Sequence, residues 1–425
     1  VSELKDLFGI ADSSSKKQQR RVSTAKDFAV VLSAASAGRA LQGDDFLHLL
    51  SGYVQANLPD LRNGMLRLSL NTPCLSYLSS LVKKSQSKGQ RGVSQNRRIV
   101  LKLAVMLLDL AHLKVLSPKK PSSGNAAARA APLAVKCQLN MFANLRMLEI
   151  HGAEFHNLEG IAYLRDRLEG IYVEGSNVTC PGMVLFEPDR VPNPPGNTER
   201  PTPEDMLTYH DTEYVWPRLE SVKFCNCGMT VLDRSVAFLP KGRVFDFSYN
   251  ELESSSFKAL ALVAQSSIMT TVDLAFNRLS SCASLPTYLP RSVSSRFRPS
   301  LQSLILRHNR LSTTKGLEIL VNLQRLDLSH NILSSLDEIM HLQRLQKLRS
   351  LGLEGNPIAL LATYREQVGD AFATRKVTLK SDFKFVLDGQ AVKVSNSMLK
   401  AGERLSVGDE HLNFNTTPLQ SRMRH

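Results

Sequence analysis

Near the C-terminal end of the chain, one pattern of leucines and an asparagine, L-x-x-L-x-L-x-x-N-x-L, occurs three times in succession. Its asparagines are Asn309, Asn331 and Asn356, which lie 22 and 25 residues apart. Alternating apolar positions followed by a turn predict one short strand in each copy. Because such a unit cannot bury its apolar face alone, successive copies must stack on one another. The pattern therefore predicts a solenoid.

Weaker copies of the same pattern precede these three in register. Asn277 and Asn250 occupy the asparagine position of two further units, and Cys227 occupies it in a third. Two earlier units keep the apolar skeleton and lose the asparagine. A period of about 20–29 residues with asparagine or cysteine at this position is typical of leucine-rich repeats. We therefore predict an α/β leucine-rich-repeat solenoid of about eight repeats over residues 135–362.

The rest of the chain divides by composition and apolar spacing. The predicted segments are a disordered basic leader at 1–24, a small mostly helical domain at 25–117, a linker at 118–134, a helical cap at 363–395 and a polar tail at 396–425. Folded segments are expected at both ends because terminal repeats otherwise expose an apolar face. The apolar stretch 99–116 is expected to form a buried or amphipathic helix. Insertions at 181–217 and 281–299 are expected to leave the solenoid as loops.

The positive charge of the chain lies almost entirely in its N-terminal third. Of the formal net charge of +14, residues 1–134 carry +12 and the remainder +2. Lysine and arginine concentrate at 16–21, 83–98 and 114–120. Such clusters suit a solvated loop, an anionic membrane surface or nucleic-acid phosphates. No aromatic residues are interleaved for base stacking, so nucleic acid is disfavoured. Weak membrane contact, with membrane recruitment through this basic region, is the alternative function.

The sequence offers no arrangement of residues suited to catalysis. No general acid/base pair, nucleophile with an adjacent base, or glycine-rich phosphate loop occurs at the required spacing. Cys225 and Cys227 supply two of the about four ligands that a zinc site needs, and Cys227 stands at a structural repeat position. We therefore expect no enzyme activity, no metal and no cofactor. Six scattered cysteines and the lack of an apolar run of about 18 residues favour a cytoplasmic location.

One face of the predicted sheet collects aromatic and charged side chains. Alternation along each strand sends the residues between the leucines to the concave surface. The predicted partner-binding residues are Tyr249, Phe276, His308, His330, Asp246, Asp273, Asp327 and Arg307. Aromatic anchors flanked by charge are typical of protein interfaces. The competing interpretation, local packing of the rings beside the asparagines, stays open. Asp273 is expected to be an exposed charge.

A structural role is predicted for the asparagines themselves. An amide side chain has donors and an acceptor for backbone groups that no strand partner reaches. The predicted asparagine ladder consists of Asn250, Asn277, Asn309, Asn331 and Asn356.

Three segments outside the central repeats carry a family resemblance. They read LSLNTPCL at 68–75, FANLRMLEI at 142–150, and LEGNP at 353–357 followed by LDG at 387–389. In this order they resemble the liver kinase B-interacting family of intracellular leucine-rich-repeat proteins, and nischarin-type repeats are similar over the solenoid alone. The resemblance spans roughly residues 27–395. It implies a non-catalytic cytoplasmic scaffold that binds a serine/threonine protein kinase and influences its localisation.

Overall fold

The computed structural model describes residues 43–86, 95–117, 136–186, 215–266, 268–285, 300–379 and 385–392. The predicted leader, linker and tail lie outside the described residues, as do most of the two predicted insertions. The basic cluster at 16–21 lies outside them too, and those at 83–98 and 114–120 are described only in part. The alternative of membrane contact through these clusters therefore stays a prediction.

Most strands of the described chain join one sheet. The strands are β1 (Leu68–Asn71), β2 (His112–Leu116), β3 (Cys137–Gln138), β4 (Met147–His151), β5 (Leu158–Glu159), β6 (Gly170–Glu174), β7 (Ser221–Cys225), β8 (Val244–Asp246), β9 (Thr271–Asp273), β10 (Ser303–Ile305), β11 (Arg325–Asp327), β12 (Ser350–Gly352), β13 (Val386–Leu387) and β14 (Gln390–Ala391). All except β3 and β5, which pair with each other, lie side by side in chain order. Their pairing is parallel throughout, apart from the antiparallel contact of β13 with β14.

Helices and 3-10 turns form the return segments between the strands. The α-helices in the described ranges are α1 (Gly43–Arg62), α2 (Thr72–Gln86), α3 (Gln95–Leu108), α4 (Gly182–Leu185), α5 (Phe257–Ser266), α6 (Asp337–Met340) and α7 (Tyr364–Leu379). Among the residues that the structure describes, none of these helices has the length and apolar character needed to span a bilayer.

The predicted solenoid of about eight repeats is confirmed. Eight strands, β4 and β6 to β12, coincide with the eight units that the sequence pattern indicates. In each of them the second apolar residue of the pattern pairs in register with its counterparts and is no more than 2% exposed. These residues are Leu148, Ile171, Val222, Phe245, Val272, Leu304, Leu326 and Leu351. Burying such a column stabilises the stack because each apolar side chain leaves water only when its neighbours are present.

The sheet begins earlier than the sequence analysis places it. β1 and β2 pair in parallel and β2 continues onto β4, so the segment before the repeats shares their sheet and core. The single helix expected over 99–116 is wrong beyond Leu108, where α3 ends and β2 follows shortly after. Leu110, Leu113 and Val115 are buried with the spacing of a repeat strand. Tertiary pairing with β1 and β4 therefore overrides the helical reading of this apolar run.

At the other end, α7 covers the last repeat. One face of the helix buries Tyr364, Val368 and Phe372, which are spaced four residues apart. The carboxylate of Asp388 accepts hydrogen bonds from the backbone N–H of Leu353 (2.7 Å) and of Glu354 (3.0 Å). Its second oxygen accepts a hydrogen bond from the Tyr364 hydroxyl at 2.7 Å. The backbone donors that follow β12 are thereby bonded at the place where the short strand β13 pairs with it.

Candidate functional site

The asparagine column lies where the strands of the C-terminal repeats end. In the Asn331 side chain, Oδ1 accepts a hydrogen bond from Leu311 N (3.0 Å), while Nδ2 donates to the carbonyls of Leu306 (3.0 Å) and Leu328 (2.9 Å). Equivalent bonds are made by Asn250, Asn277, Asn309 and Asn356. All five side chains are buried. Each amide thus joins backbone groups of its own repeat to those of the preceding one.

Earlier repeats fill the same column differently. The thiol of Cys227 donates to the carbonyls of Val173 (3.5 Å) and Cys225 (3.3 Å), a weaker version of the asparagine contacts. The hydroxyl oxygen of Ser176 is buried without a hydrogen-bond partner in the described ranges. Burial raises the pKa of Cys225 to about 12 and that of Cys227 to about 11, so both are protonated at neutral pH. Zinc binds the thiolate form of cysteine, which is not the form that these two side chains take at neutral pH.

Four side chains that immediately precede asparagines of this column form a continuous stack, which we call the ring ladder: Tyr249, Phe276, His308 and His330. Ring centroids lie 4.1 Å apart between Tyr249 and Phe276 and between Phe276 and His308, and 4.2 Å apart between His308 and His330. Interplanar angles are 10°, 16° and 7°. All four predicted ring residues therefore take part, in three stacked pairs, and the sequence positions before the asparagines lie in one column.

The backbone explains why the rings stack. All four residues have φ between 53° and 56°, the left-handed region that residues with a side chain seldom adopt. This conformation costs of order 1 kcal/mol for each residue, and it turns successive side chains in the same direction at the strand ends. Each ring then lies over that of the neighbouring repeat, where stacking returns about 0.5–1.5 kcal/mol for each pair.

The two ends of the ring ladder differ. At the C-terminal end the column continues with Gly355, where an added Cβ would collide with the His330 ring, so this ring packs on the glycine backbone. At the N-terminal end the column continues with Asn226, which is exposed, and Tyr249 is 55% exposed. Phe276 and His308 are half-buried between their neighbours. The ladder therefore presents the edges of its inner rings and an open tyrosine at one end.

Three carboxylates run beside the ring ladder on the concave surface, and we call them the acidic row: Asp246, Asp273 and Asp327. Asp246 and Asp273 are direct neighbours across β8 and β9, whereas Ile305 of β10 separates Asp273 from Asp327. In each aspartate Oδ1 accepts a hydrogen bond from the backbone N–H two residues later, at 2.9–3.1 Å. The exposed charge expected at Asp273 is wrong, because this turn contact holds the carboxylate half-buried.

Burial, together with the charges of the acidic row and of the neighbouring side chains, shifts the pKa values of Asp273 and His308. Burial raises the pKa of Asp273 above its ordinary value, and the carboxylates of Asp246 and Asp327 raise it further, while Arg307 lowers it. The guanidinium of Arg307 lies over the ring of Phe276, 5.6 Å from its centroid. Burial, assisted by the charges of His330 and Arg307, lowers the pKa of His308, so this ring is neutral at neutral pH. The three carboxylates lie beside the ring ladder, with Arg307 over Phe276 and Lys223 of β7 aligned with Asp246 as neighbouring cations.

A second charged group on the concave surface, centred on Glu149, is not among the residues that the sequence pattern predicts. Glu149 of β4 is 7% exposed and lies within 2.7 Å of His112, 3.2 Å of His151, 3.4 Å of Arg67 and 3.8 Å of Lys114. The contacts with His112 and Lys114 depend on β2, in the run for which the sequence pattern predicts a helix. The signal that could have revealed them is the repeat-like spacing of the buried residues in β2.

This cluster makes stability depend on pH. Burial raises the pKa of Glu149, but hydrogen bonds from His112 and His151 and the charge of Arg67 bring it far below its usual range. A carboxylate with a depressed folded pKa stabilises the protein above its unfolded pKa of about 4.3, and this contribution is lost as the pH falls towards the folded value. Glu149→Gln is therefore expected to lower the free energy of unfolding by about 2 kcal/mol at pH 7, the size typical of losing hydrogen bonds to a charged group, and by less below pH 4.

Urea unfolding of parent and variant at pH 7 and pH 3.5 measures this difference. The matched control is Glu174→Gln, because the exposed carboxylate of Glu174 also contacts an imidazole, His151 Nδ1 at 3.0 Å. We expect that change to cost less than about 0.5 kcal/mol. A destabilisation by Glu149→Gln that is equal at both pH values would contradict the assignment.

Sequence comparisons identify relatives of the chain. The family model described as Leucine Rich Repeat matches residues 322–342. The protein named serine/threonine-protein kinase 11-interacting protein of Homo sapiens is 26% identical over 376 residues, which cover 84% of this chain and 30% of that protein. The Gallus gallus protein of the same name is 28% identical over 60% of this chain and 21% of its own length. The Mus musculus protein is 35% identical over 23% and 9%. The chain thus spans less than a third of the length of these relatives.

Two solved structures resemble this chain weakly. Internalin C2 of Listeria monocytogenes has a TM-score of 0.38 at 13% identity, covering 65% of this chain and 92% of that one. A leucine-rich-repeat protein of Leptospira interrogans has a TM-score of 0.35 at 14% identity, covering 63% and 60%. The fold itself follows from the repeat register and the matching family model. The chain is therefore a leucine-rich-repeat protein whose curated homologues are named serine/threonine-protein kinase 11-interacting protein.

Proposed function

We propose that this chain is a non-catalytic cytoplasmic adaptor that binds a serine/threonine protein kinase through its solenoid and influences the localisation of that kinase. The observation that carries this proposal is the human relative, whose name states an interaction with serine/threonine-protein kinase 11 and whose similarity extends over 84% of this chain. Because the chain spans 30% of that relative, the proposal assigns kinase binding to this portion of the relative's length.

The concave surface is the proposed contact face. Its exposed residues are held by a sheet whose backbone groups are bonded from repeat to repeat, so they need little ordering when a partner binds. Tyrosine is enriched among the residues that dominate interface energies, and Tyr249 stands more than half exposed at the end of the ring ladder. Local packing accounts for the half-buried Phe276 and His308 but leaves the exposure of Tyr249 unexplained.

Binding of purified serine/threonine-protein kinase 11 to the immobilised chain tests the proposal. We expect saturable binding with a Kd of about 1 µM or lower, which unlabelled chain should compete away. An unrelated tyrosine kinase serves as the control for nonspecific attraction to this basic chain. A signal that does not saturate up to about 50 µM, or that is equal for the two kinases, would refute kinase binding by this chain.

A further inference from the structure

We propose that the acidic row and the open end of the ring ladder dock an arginine-containing segment of the partner protein, with one guanidinium seated over Tyr249 and beside Asp246. This inference rests on the proposed protein-binding function and specifies the chemistry of the segment that is bound. It follows from a difference between two consecutive repeats.

The repeat of β10 shows how an arginine fits this surface. Arg307 lies over the ring of Phe276 in the preceding repeat and acts electrostatically on Asp273 of that same repeat. The guanidinium therefore lies over one ring of the ladder and is attracted by one carboxylate of the acidic row. Arginine suits both contacts, because its planar group stacks on a ring while its N–H groups face a carboxylate.

One repeat earlier, the ring and the carboxylate are present without the arginine. The register of β9 with β10 aligns Asp273 with Ile305, and continuing it two residues aligns Ala275 with Arg307. Shifted by one repeat in the same way, the guanidinium of an arginine at position 275 would lie over Tyr249 and beside Asp246. Alanine has no group that reaches either residue. At this repeat the surface thus presents a ring and a carboxylate without the guanidinium that Arg307 supplies one repeat later.

The carboxylates have bonding capacity left for an incoming cation. Oδ1 of Asp246 accepts from the backbone N–H of Ser248 at 3.1 Å and from its hydroxyl at 2.7 Å. The Cys225 thiol is a further hydrogen-bonding neighbour of the Asp246 carboxylate. Within the residues that the structure describes, Oδ2 of Asp273 and of Asp327 accepts no hydrogen bond. A carboxylate has about four lone-pair sites, so each of the three can accept further hydrogen bonds. Adjacent carboxylates at the strand spacing of about 5 Å repel each other, and a cation between them relieves that repulsion.

A divalent metal is a poorer occupant than a guanidinium. No group of three or more histidine, cysteine, aspartate or glutamate side chains converges suitably for a metal anywhere in the described ranges. The ring of Tyr249 favours a flat cation that can stack. The chain as a whole carries a formal net charge of +14, so long-range electrostatics oppose the approach of a basic peptide. Binding of such a peptide therefore requires a local acidic surface.

Fluorescence anisotropy with labelled nona-arginine, nona-lysine and nona-glutamate peptides on the full chain, in about 0.15 M salt, tests the inference. We expect nona-arginine to bind at least about threefold more tightly than nona-lysine. Asp246→Asn should weaken nona-arginine about tenfold, because it removes the charge while keeping the oxygen that accepts from Ser248. Ala275→Arg should weaken it at least as much, since the chain then supplies its own guanidinium. The matched control, Asp337→Asn on α6, removes an exposed carboxylate from the return side and should change nothing.

Several outcomes overturn the inference. These are an unchanged affinity in Asp246→Asn, an equal loss in Asp337→Asn, or binding of nona-glutamate that depends on Asp246. A gain of more than about tenfold on removing residues 1–24 would assign the surface to the chain's own basic segment instead. If Ala275→Arg misfolds, Asp246→Asn still decides.

The kinase measurement separates this inference from the proposed function. If Asp246→Asn and Ala275→Arg leave kinase binding unchanged, the arginine-docking inference is contradicted and the adaptor function stands. If the peptide binds in a way that depends on Asp246 but the kinase does not bind, the kinase assignment is contradicted and the arginine-docking surface stands.

Discussion

Asn331→Ala is expected to lower the free energy of unfolding by about 3 kcal/mol. The substitution removes the acceptor of Leu311 N–H and the donor to the carbonyls of Leu306 and Leu328, all at the buried junction of two repeats. A buried polar group left without a partner costs about 1–3 kcal/mol, and partial relaxation keeps the total below the sum of three such losses. Urea unfolding followed by circular dichroism measures the change.

Ser176→Ala is the matched control for this prediction. Ser176 occupies the same column in an early repeat, is buried, and has a hydroxyl without a hydrogen-bond partner in the described part of the chain. Removing that hydroxyl breaks no bond, so we expect a change smaller than about 0.5 kcal/mol in either direction. Equal destabilisation by the two substitutions would show that the amide bonds of the asparagine column contribute nothing specific.

The repeat architecture could be predicted because its signal is periodic. A leucine skeleton with an asparagine every 20-odd residues leaves few folds that bury every copy, and the structure has its strands at those positions. β2 could not be predicted in the same way. The run that contains it is apolar at spacings compatible with helix and strand, and pairing with β1 and β4 decides between them. The contacts of Glu149 with His112 and Lys114 depend on that pairing.

The candidate site was predictable as a column but not as a geometry. Alternation along the strands places the aromatic residues together, yet it does not show that Tyr249, Phe276, His308 and His330 have left-handed backbones. The same column indicates this backbone conformation in the sequence, because glycine adopts it without strain. Gly152, Gly175 and Gly355 stand at the equivalent positions of other repeats. The role proposed for Ala275 required the observed position of Arg307 over Phe276.

Tyr249→Ala is expected to weaken binding of serine/threonine-protein kinase 11 by about 30-fold or more. Truncation of an aromatic anchor at an interface costs at least about 2 kcal/mol, and each 1.4 kcal/mol is tenfold in affinity. The cost in folding stability should be small, about 1 kcal/mol or less, because the residue loses one stacking partner, Phe276, and was already 55% exposed. Titration of the kinase at a temperature where both proteins are folded measures the effect.

Tyr163→Ala distinguishes loss of a specific contact from loss of any exposed tyrosine. Tyr163 is 66% exposed in the 3-10 turn at 161–164, away from the concave strands, and its removal should leave kinase binding unchanged. Phe276→Ala is a less suitable probe, because this ring stacks on both Tyr249 and His308 and its removal would take a stacking partner from each. If Tyr249→Ala melts like the parent and binds the kinase as tightly, the ring ladder is a packing element of the turns, and the contact face lies elsewhere on the solenoid.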